Sequence, residues 1–536
     1  MNNLLHDVIL KDASRLFMLL DRNPFGLTKG LFDRNYWHFK TTDFPSAGMQ
    51  MGIAIMAKLY NIDGVYFKNK EILGYIEDGI LATANIQHHD GTFDEWYPNE
   101  RGWAGPTGYI LNACCDTYLL VGKELSAEIE SKLLSIISKA AHALVQTSEA
   151  HTLTNHIAMA WLPLVQAKVI LKTSIFDDYI SGLKKQIIKN FKQDEGWSVE
   201  YDGADPGYQS GTLSFLAKGL QLIQDKDLEE ISKKSLRFMS YFAYPDGTVG
   251  GAIGSRHTVN FFIAGIVAWR HDSVGAALFK HSEMSFFKQT IVLPSDLDDH
   301  YYIYRLNEFL DAFLLLRKTT LSPEITPLPY EREHFMCFKE AGIVSQRKGE
   351  FLTVVSASRG GAVMAWNCQT GQQIANDNGV MIKLGQHYFT SLWQGQYKIE
   401  INEHVIQISG SLQKVTPKVF NVVSSIFFKA FVLVFGFHAK SAIAIKNLIR
   451  TVLMVHKSNS GHHFSRTVSI TNKGILVNTK LRTSSKPSWV QIGGEFWSRY
   501  VPQSRHFLKC DLLKSQKNFT TTADTMNIDH TEIYRS

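Results

Sequence analysis

The stretch EGWSVEYDGADPGYQ, residues 195–209, lies between two apolar segments with helical spacing, Ile175–Phe191 and Gly211–Ile223. Its glycines and its proline predict a rigid turn that joins two helices. This turn delivers Tyr208 to the mouth of a helix that starts near Ser210, and so polar a turn favours an exposed position for the tyrosine. A polar, Gly-bearing loop between two apolar helices is the unit from which we predict the fold.

The same unit recurs through the first 320 residues, where apolar residues repeat at helical spacing between Gly-, Asp- and Pro-bearing loops. About ten helices are predicted, in consecutive pairs, with the loops that carry polar and aromatic residues recurring at one end. This arrangement predicts an (α/α) toroid over residues 1–320. A solenoid of helical repeats is the competing architecture, but no repeat of fixed period is visible. The predicted helices are Met49–Tyr60, Ile72–Ile86, Tyr109–Val121, Ala127–Val145, His156–Leu171, Ile175–Phe191, Gly211–Ile223, Leu228–Phe242, Asn260–Trp269 and Tyr302–Leu316.

The pattern changes after residues 321–335, where prolines predict a linker. Short stretches rich in Val, Ile, Phe and Thr follow, separated by Gly, Asn, Asp and Lys. They predict an antiparallel β-sandwich over residues 336–536, with a helical insert near residues 427–455 and a polar end that forms an edge strand or a loose tail. The predicted strands are Ala341–Gln346, Phe351–Ser356, Gly379–Leu384, Tyr397–Glu400, His404–Ser409, Arg466–Ile470 and Gly474–Lys480.

Composition and charge narrow the function classes. The chain has 536 residues, 45% hydrophobic and 20% charged, which predicts a globular protein of two or three domains. The net charge of +6 suits an anionic polymer, but the lack of a compact Lys/Arg run argues against nucleic acid. The 5 cysteines are irregularly spaced without a CxxC pair, so we expect neither a zinc ribbon nor a disulfide framework. No metal and no other cofactor is predicted.

The first residues lack a basic segment followed by an apolar core and a cleavage site. The sequence therefore predicts a cytoplasmic protein, or a periplasmic one if a signal was removed. The most apolar stretch, Ile426–Phe437, is too short to span a bilayer and is interrupted by Lys429. A buried helix or strand is the first interpretation, and an interfacial membrane helix is the alternative.

The pair Asn155-His156 and the later Tyr208 carry the most chemical information. Asn155 can donate hydrogen bonds to a sugar carboxylate, His156 can act as a base or a second donor, and Tyr208 can transfer a proton. The alternative is that Asn155 only caps the helix that it begins. In a third loop, Arg256 can pair with a substrate carboxylate and His257 can transfer a proton. The alternative there is a capped helix entry with a solvated arginine.

An earlier loop, residues 90–103, concentrates acids, aromatic residues and one arginine. We interpret it as one wall of a saccharide groove, in which aromatic rings stack on sugars and the arginine pairs with a carboxylate. The alternative is a loop whose aromatic residues fill the toroid and whose charges are solvated. The residues predicted to bind substrate here are Asp94, Glu95, Trp96, Tyr97, Arg101 and Trp103.

These features together resemble the heparinase II/III-like polysaccharide lyases: helical repeats before a β-sandwich, Asn-His at a helix start, and the segment at residues 195–208. The Asn-His pair with a later tyrosine is most similar to the oligoalginate lyases of that group. The resemblance implies an (α/α) toroid, a β-sandwich and an active-site cleft between them. It also implies that Asn155 neutralises a uronate carboxylate, that His156 assists or acts as base, and that Tyr208 is the acid or base.

The chain departs from this family at the start of the predicted sandwich. The family usually presents a histidine there, whereas residues 358–367 contain none. Either Arg359, Asn367 or a distant histidine such as His387 takes that role, or the activity differs from that of the family. The residues predicted to bind substrate outside the first loop are Trp197, Glu200, Tyr201, Gln209 and Arg359.

The predicted reaction removes the C5 proton of a uronic acid in an anionic polysaccharide or oligosaccharide. Loss of the O4 leaving group then gives an unsaturated sugar, as in a polysaccharide lyase, whereas reprotonation from the opposite face makes the chain a C5-epimerase. Two further alternatives stay open: a hydrolase with paired carboxylates, and a non-catalytic glycan-binding protein of polysaccharide biosynthesis. The carboxylates available to a hydrolase are Asp94, Glu95, Glu200, Asp202 and Asp205.

Overall fold

The computed structural model describes residues 1–101, 103–146, 153–392, 396–402, 405–415, 421–450, 459–471, 473–494, 519–521 and 526–535. Helices fill the first part of the chain, and one helical pair interrupts the strands of the second part. The helices are α1 (Asn2–Leu19), α2 (Arg34–Trp37), α3 (Gly52–Leu59), α4 (Lys70–Ile86), α5 (Ala104–Val121), α6 (Ala127–Val145), α7 (Thr154–Leu171), α8 (Asp177–Asn190), α9 (Pro206–Gly219), α10 (Lys226–Ser240), α11 (Ile263–Ala268), α12 (Ser273–Phe287), α13 (Asp299–Leu316), α14 (Val422–Phe435) and α15 (Ala439–Arg450).

Two short strands lie between α8 and α9, and the others follow α13. The strands are β1 (Phe191–Lys192), β2 (Trp197–Ser198), β3 (His334–Phe338), β4 (Ile343–Lys348), β5 (Phe351–Ser356), β6 (Ala362–Asn367), β7 (Gln373–Asp377), β8 (Val380–Leu384), β9 (His387–Thr390), β10 (Tyr397–Asn402), β11 (Val405–Val415), β12 (Asn459–Thr471), β13 (Gly474–Arg482), β14 (Trp489–Ile492), β15 (Phe519–Thr521) and β16 (Asn527–Tyr534).

The helices of the first part form a closed double ring. An inner ring of α3, α5, α7, α9, α11 and α13 packs helix against helix, and the contact of α13 with α3 closes it. Helices α4, α6, α8, α10 and α12 lie outside, and α1 completes the outer layer against α13. An inner helix such as α7 is apolar on nearly every side, as burial between neighbours requires. The closed ring confirms the predicted (α/α) toroid and excludes the solenoid.

Two helices of the outer layer were not predicted. Helix α1 buries Leu5, Ile9 and Leu16 against the ring, and α12 buries a face of small residues together with His281. Polar residues interrupt the apolar spacing of both helices, so the periodicity that identifies other helices is weak here.

The second part is an antiparallel β-sandwich, as predicted. The smaller sheet has the strand order β3-β4-β5-β6-β7, and the larger has β15-β14-β8-β9-β11-β12-β13-β16, with β10 paired to β11. The inner faces of the two sheets share a core that includes Val355 and Val363 from one sheet and Ile406 and Val468 from the other. The predicted helical insert is present as α14 and α15, and its predicted end at residues 451–455 lies outside the described residues.

The smaller sheet packs on the loops at one end of the toroid. The Trp366 ring stacks on Tyr244 with 3.8 Å between centroids, and its Nε1 donates a hydrogen bond to Asp246 at 2.8 Å. Ser356 Oγ donates to the Ile253 carbonyl at 3.0 Å. These contacts fix the sandwich above the loops where the candidate site lies.

Candidate active site

The connections that enter the inner helices share one end of the toroid. Each outer helix returns between two inner helices, so the inner helices α5 to α13 all begin at that end. The first turns there carry predicted catalytic residues: Asn155 and His156 begin α7 after Thr154, and Tyr208 is the third residue of α9. Helix N-termini carry partial positive charge, so this end of the ring favours a bound anion.

Glu200 fixes the start of α7 against the loop that precedes α9. Its Oε1 accepts a hydrogen bond from the backbone N–H of Asn155 at 2.8 Å, and Thr154 Oγ1 donates to the Val199 carbonyl at 2.7 Å. The cap position of the helix is Leu153, so the interpretation of Asn155 as an N-cap is wrong. Within the described residues, the buried amide oxygen of Asn155 accepts no hydrogen bond.

The carboxyl group of Glu200 is fully buried, and this burial raises its pKa well above the ordinary value. The charge of Asp205 raises the pKa further, and the hydrogen bond from Asn155 and the charge of Arg256 lower it without reversing the shift. The group therefore holds its proton more tightly than a solvated glutamate does. We expected Glu200 to contact substrate, but its burial and its backbone contacts make it a brace between two loops.

Tyr208 is held in the first turn of α9 by the N-cap residue Asp205. Asp205 Oδ1 accepts hydrogen bonds from the N–H groups of Gly207 and Tyr208, both at 3.1 Å, and Oδ2 accepts from the Arg256 N–H at 2.9 Å. This cap starts the helix at Pro206 rather than near residue 210, so Tyr208 lies inside the helix. The Tyr208 side chain is only 8% exposed, and the predicted exposed position is wrong. Burial raises the pKa of the phenol well above the ordinary value, the charge of Tyr201 adds to this, and Arg256 lowers it.

Arg256 presents a buried guanidinium that forms no direct ion pair with any described residue. The residue is 2% exposed, and its Cζ lies 3.7 Å from the centroid of the Tyr201 ring in a cation–π contact. It forms no ion pair with any described residue, and its Nε has no hydrogen-bond partner among them. Ser255 Oγ donates to the Glu200 carbonyl at 2.8 Å and caps no helix, since α11 begins only at Ile263. The alternative of a solvated arginine at a capped helix entry is therefore wrong.

The backbone beside this stack is left-handed at two residues that carry side chains. Tyr201 has a φ of 60° and His257 a φ of 57°. Such values are uncommon for non-glycine residues and persist where the surroundings fix them, frequently at functional sites. His257 follows Arg256 directly and is buried as well.

The sandwich contributes Arg359 to this end of the toroid. Its Nη2 lies 3.4 Å from Asp202 Oδ1, and both side chains are mostly buried. The other two residues considered for this place lie elsewhere. The Asn367 side chain accepts backbone hydrogen bonds from its own turn, and His387 is exposed on β9. Arg359 is therefore the member of the three that reaches the toroid loops.

The first loop turns several predicted substrate ligands inward. Arg101 is buried and pairs with Asp90, so its charge is already matched inside the protein. Tyr97 is buried and accepts a hydrogen bond from Trp103 Nε1 at 2.8 Å. The Trp96 ring, in contrast, is 57% exposed, as stacking on a sugar requires.

A buried pair of Glu95 and His300 joins this loop to the start of α13, and the sequence did not predict the histidine. Glu95 Oε1 lies 2.9 Å from His300 Nε2, and Oε2 accepts hydrogen bonds from the Gly48 N–H at 2.5 Å and from Ser46 Oγ at 3.0 Å. Burial lowers the pKa of His300, but the hydrogen bond and charge of Glu95 outweigh it and raise the pKa above the ordinary value. The His300 ring lies 5.0 Å from the Trp96 ring.

A wall of tyrosines continues from this pair towards the Arg256 stack. The Tyr304 hydroxyl donates to Glu95 Oε1 at 3.3 Å, and its ring lies 4.6 Å from the Tyr109 ring. Burial raises the pKa values of Tyr109 and Tyr301, and Tyr201 contributes to both shifts. The wall and the Arg256 stack are therefore close enough to influence each other electrostatically.

The remaining predicted ligands have internal partners. Trp197 and Gln209 are buried: Trp197 Nε1 donates to Glu195 at 2.7 Å, and Gln209 Oε1 accepts the Ser198 N–H at 2.8 Å. Asp94 lies 2.9 Å from His88 Nε2. Each of the five carboxylates considered for a hydrolase thus contacts a protein donor within the described residues, and the structure presents no paired free carboxylates there.

Comparison with solved structures supports the fold, whereas no family model and no curated protein sequence matches the chain. A chondroitin AC lyase mutant from Streptomyces coelicolor A3 matches with a TM-score of 0.50 and 10% identity, over 92% of this chain and 68% of that one. Heparinase III matches with a TM-score of 0.49 and 11% identity, over 84% of this chain and 65% of that one, so the chain spans about two thirds of that protein. A heparan sulfate lyase mutant from Pedobacter heparinus matches with a TM-score of 0.42 and 10% identity, over 85% and 66%. The match to the chondroitin AC lyase, at 10% identity, shows a shared fold and agrees with the toroid and β-sandwich that the sequence predicted.

Proposed function

We propose that the chain is a polysaccharide lyase that cleaves a uronic-acid-containing polysaccharide or oligosaccharide by β-elimination. The observation that carries the proposal is the buried Arg256 guanidinium on the Tyr201 ring, which forms no direct ion pair with any described residue. Burial of an unpaired cation costs free energy on the order of several kcal/mol. A uronate carboxylate would supply the missing charge at the end of the toroid where helix N-termini already favour one.

The carboxylate is the obstacle to the chemistry. Removal of the C5 proton develops a second negative charge beside it, and each preorganised donor at such a place contributes about 3–4 kcal/mol. We assign Arg256 and the amide of Asn155 to this task. Both are fixed through their backbone N–H groups, Arg256 by Asp205 and Asn155 by Glu200.

The raised pKa of Tyr208 favours an acid role for that residue. Burial keeps the phenol protonated, and the charge of Arg256 does not reverse the shift. We therefore assign Tyr208 to protonation of the O4 leaving group. His156, beside Asn155 in the first turn of α7, is assigned to removal of the C5 proton. We assign His257 to holding Arg256 in position, because it is buried in left-handed backbone.

Binding of the polymer is assigned to groups around this centre. Trp96 offers an exposed ring 5.0 Å from the His300 ring, which suits stacking on a sugar unit beyond the reacting one. Arg359 brings a cation from the sandwich side of the cleft. Trp96 belongs to the toroid and Arg359 to the sandwich, so we expect the polymer to lie between the two.

The test is ultraviolet absorbance of the unsaturated uronate product, followed with alginate, heparosan, chondroitin, hyaluronan and polyglucuronate. The reactions are run in heavy water, and the sugars are recovered for NMR. We expect absorbance to rise with one of these polymers. Deuterium at C5 without absorbance would instead mean a C5-epimerase. New reducing ends without absorbance would mean a hydrolase, and binding without any product would mean a glycan-binding protein.

A further inference from the structure

Helix α14 exposes an unusual number of large apolar side chains. Only Val432 of this helix is buried, in a small cluster with Tyr97 and Ile445. At about 100° per residue, the exposed apolar residues spread over an arc of roughly 220° around the helix. A helix that is apolar on most sides is normally covered, and exposed apolar patches of this extent mark interaction sites. The exposed members are Val422, Val423, Ile426, Phe427, Phe431, Leu433, Val434 and Phe435.

The stretch of sequence that contains this helix has basic residues and no acidic ones. From His404 to Gly494 the sequence contains no Asp and no Glu. The same stretch contains twelve Lys and Arg residues, four of them in α14 and α15. Those four are Lys429, Lys440, Lys446 and Arg450.

We propose that the α14–α15 hairpin docks the protein on an anionic lipid bilayer. The positive charge identifies the partner as anionic, and it opposes association with a second copy, which would bring two such stretches together. The apolar arc is wider than the single stripe that a protein groove covers, and the acyl boundary of a bilayer can bury so wide a face, so we infer that the partner is lipid. Helix α14 is about 21 Å long at 1.5 Å per residue, so it lies in the interface. No helix in the described part of the chain has the length and apolarity to cross a membrane.

The hairpin packs on the first loop of the candidate cleft and pairs with Asp43 before α3. The Phe428 ring lies 5.5 Å from the Tyr97 ring, and Lys429 Nζ lies 2.9 Å from Asp43 Oδ1. A Cβ added at Gly436 would lie 2.9 Å from Asn99 Cβ, which shows how closely the end of α14 packs on that loop. A protein docked through α14 therefore holds the mouth of the cleft near the lipid surface. The docking itself does not depend on the proposed activity.

Vesicle flotation of the full chain tests this inference. We expect binding to phosphatidylglycerol-containing vesicles, and binding weaker by about tenfold or more when the anionic lipid is omitted or the salt is raised. The double variant Phe427→Ser/Val434→Ser should bind about tenfold more weakly than wild type. The matched control is Phe25→Ser/Leu27→Ser, which changes two fully exposed apolar residues outside the hairpin and should bind like wild type.

Three outcomes would overturn the inference. One is an absence of binding to either vesicle type by wild-type protein with a normal melting temperature. Another is equal binding by wild type and the hairpin variant. The third is sedimentation that shows a dimer which the hairpin variant alone converts to monomer, because a second copy of the chain would then be the occupant.

Discussion

The candidate cleft and the α14–α15 hairpin both depart from the usual placement of side chains. The cleft buries a charged residue, and the hairpin exposes apolar ones. In the candidate cleft, the charged Arg256 is buried and forms no direct ion pair with any residue that the structure describes. On the hairpin, apolar residues such as Phe427 and Val434 face outward. Unpaired charges are normally solvated and large apolar patches are normally covered. From this comparison we infer that each region binds a partner. The partner of the candidate cleft is an anion, and the partner of the hairpin is an anionic lipid bilayer.

The largest effect is expected when Tyr208, the proposed acid of the candidate cleft, is replaced. Tyr208→Phe should lower the rate of elimination by about 10²–10⁴-fold, because the O4 leaving group loses its proton donor. Tyr244→Phe is the matched control: Tyr244 is also buried, but its hydroxyl donates to the Gly250 carbonyl at 2.7 Å. It should cost about 1 kcal/mol of stability and little rate. Equal rate losses in the two variants would remove Tyr208 from the chemistry.

The next test contrasts two buried arginines. Arg256→Met should lower the rate by about 10²–10³-fold, since one charge-stabilising donor is lost. Arg305 is equally buried but is matched by Glu308 at 3.3 Å and by the Phe261 and Val292 carbonyls. Arg305→Met should therefore lower the unfolding free energy by about 3–5 kcal/mol with a normal rate per folded molecule. Activity and denaturation midpoints are measured for both variants. A loss of rate in Arg305→Met together with a loss of stability alone in Arg256→Met would contradict the two assignments.

A pH-dependent test addresses the brace between the loops. Glu200 has a raised pKa in the folded state, so it binds its proton more tightly there than in the unfolded chain. Its contribution to stability is full below the unfolded pKa of about 4.3 and is lost as pH rises towards the folded pKa. Glu200→Gln keeps an oxygen for the Asn155 N–H and removes this loss. The variant should gain stability relative to wild type between pH 5 and pH 8, measured by urea midpoints.

The control for that measurement is Glu324→Gln, at an exposed position outside any helix, between α13 and β3. This variant should show no such trend with pH. A Glu200→Gln curve that runs parallel to wild type would mean that the buried carboxyl does not titrate differently in the folded protein.

The smallest expected effect compares two valines of the hairpin. Val432→Ala should lower the unfolding free energy by about 1.5 kcal/mol, since two buried carbons are lost at about 0.8 kcal/mol each. Val434→Ala should change it by less than about 0.5 kcal/mol, because that side chain is exposed. Thermal denaturation of both variants checks this. Equal costs would mean that α14 is covered on a face that we describe as exposed.

The sequence predicts the ring of helices and the sandwich because those signals are local. Apolar periodicity identified most inner and outer helices, and loop composition located Asn155 and Tyr208 at the same end. The start of α9 was misplaced because Asp205 caps it across a proline. Helix α13 carries a histidine in its first turn, as α7 does, and this shared position could have identified His300.

The rest depends on partners that are distant in the chain. Arg101 and Arg256 look alike in sequence, yet one is paired with Asp90 and the other lacks an anion among the described residues. Likewise, the buried link of Glu95 to His300 joins loops that are far apart in sequence. An apolar stretch such as Ile426–Phe437 predicts burial, and only the tertiary structure reveals that it is exposed.

The most direct test of the central claim is chemical rescue with an esterified substrate. If Arg256 neutralises the uronate carboxylate, methyl esterification of the cleaved polymer makes that charge unnecessary. Elimination by Arg256→Met is therefore predicted to recover on the esterified polymer, whereas Tyr208→Phe stays inactive on both polymers. If Arg256→Met is equally impaired on the free and the esterified polymer, the assignment of its buried guanidinium to the substrate carboxylate is contradicted.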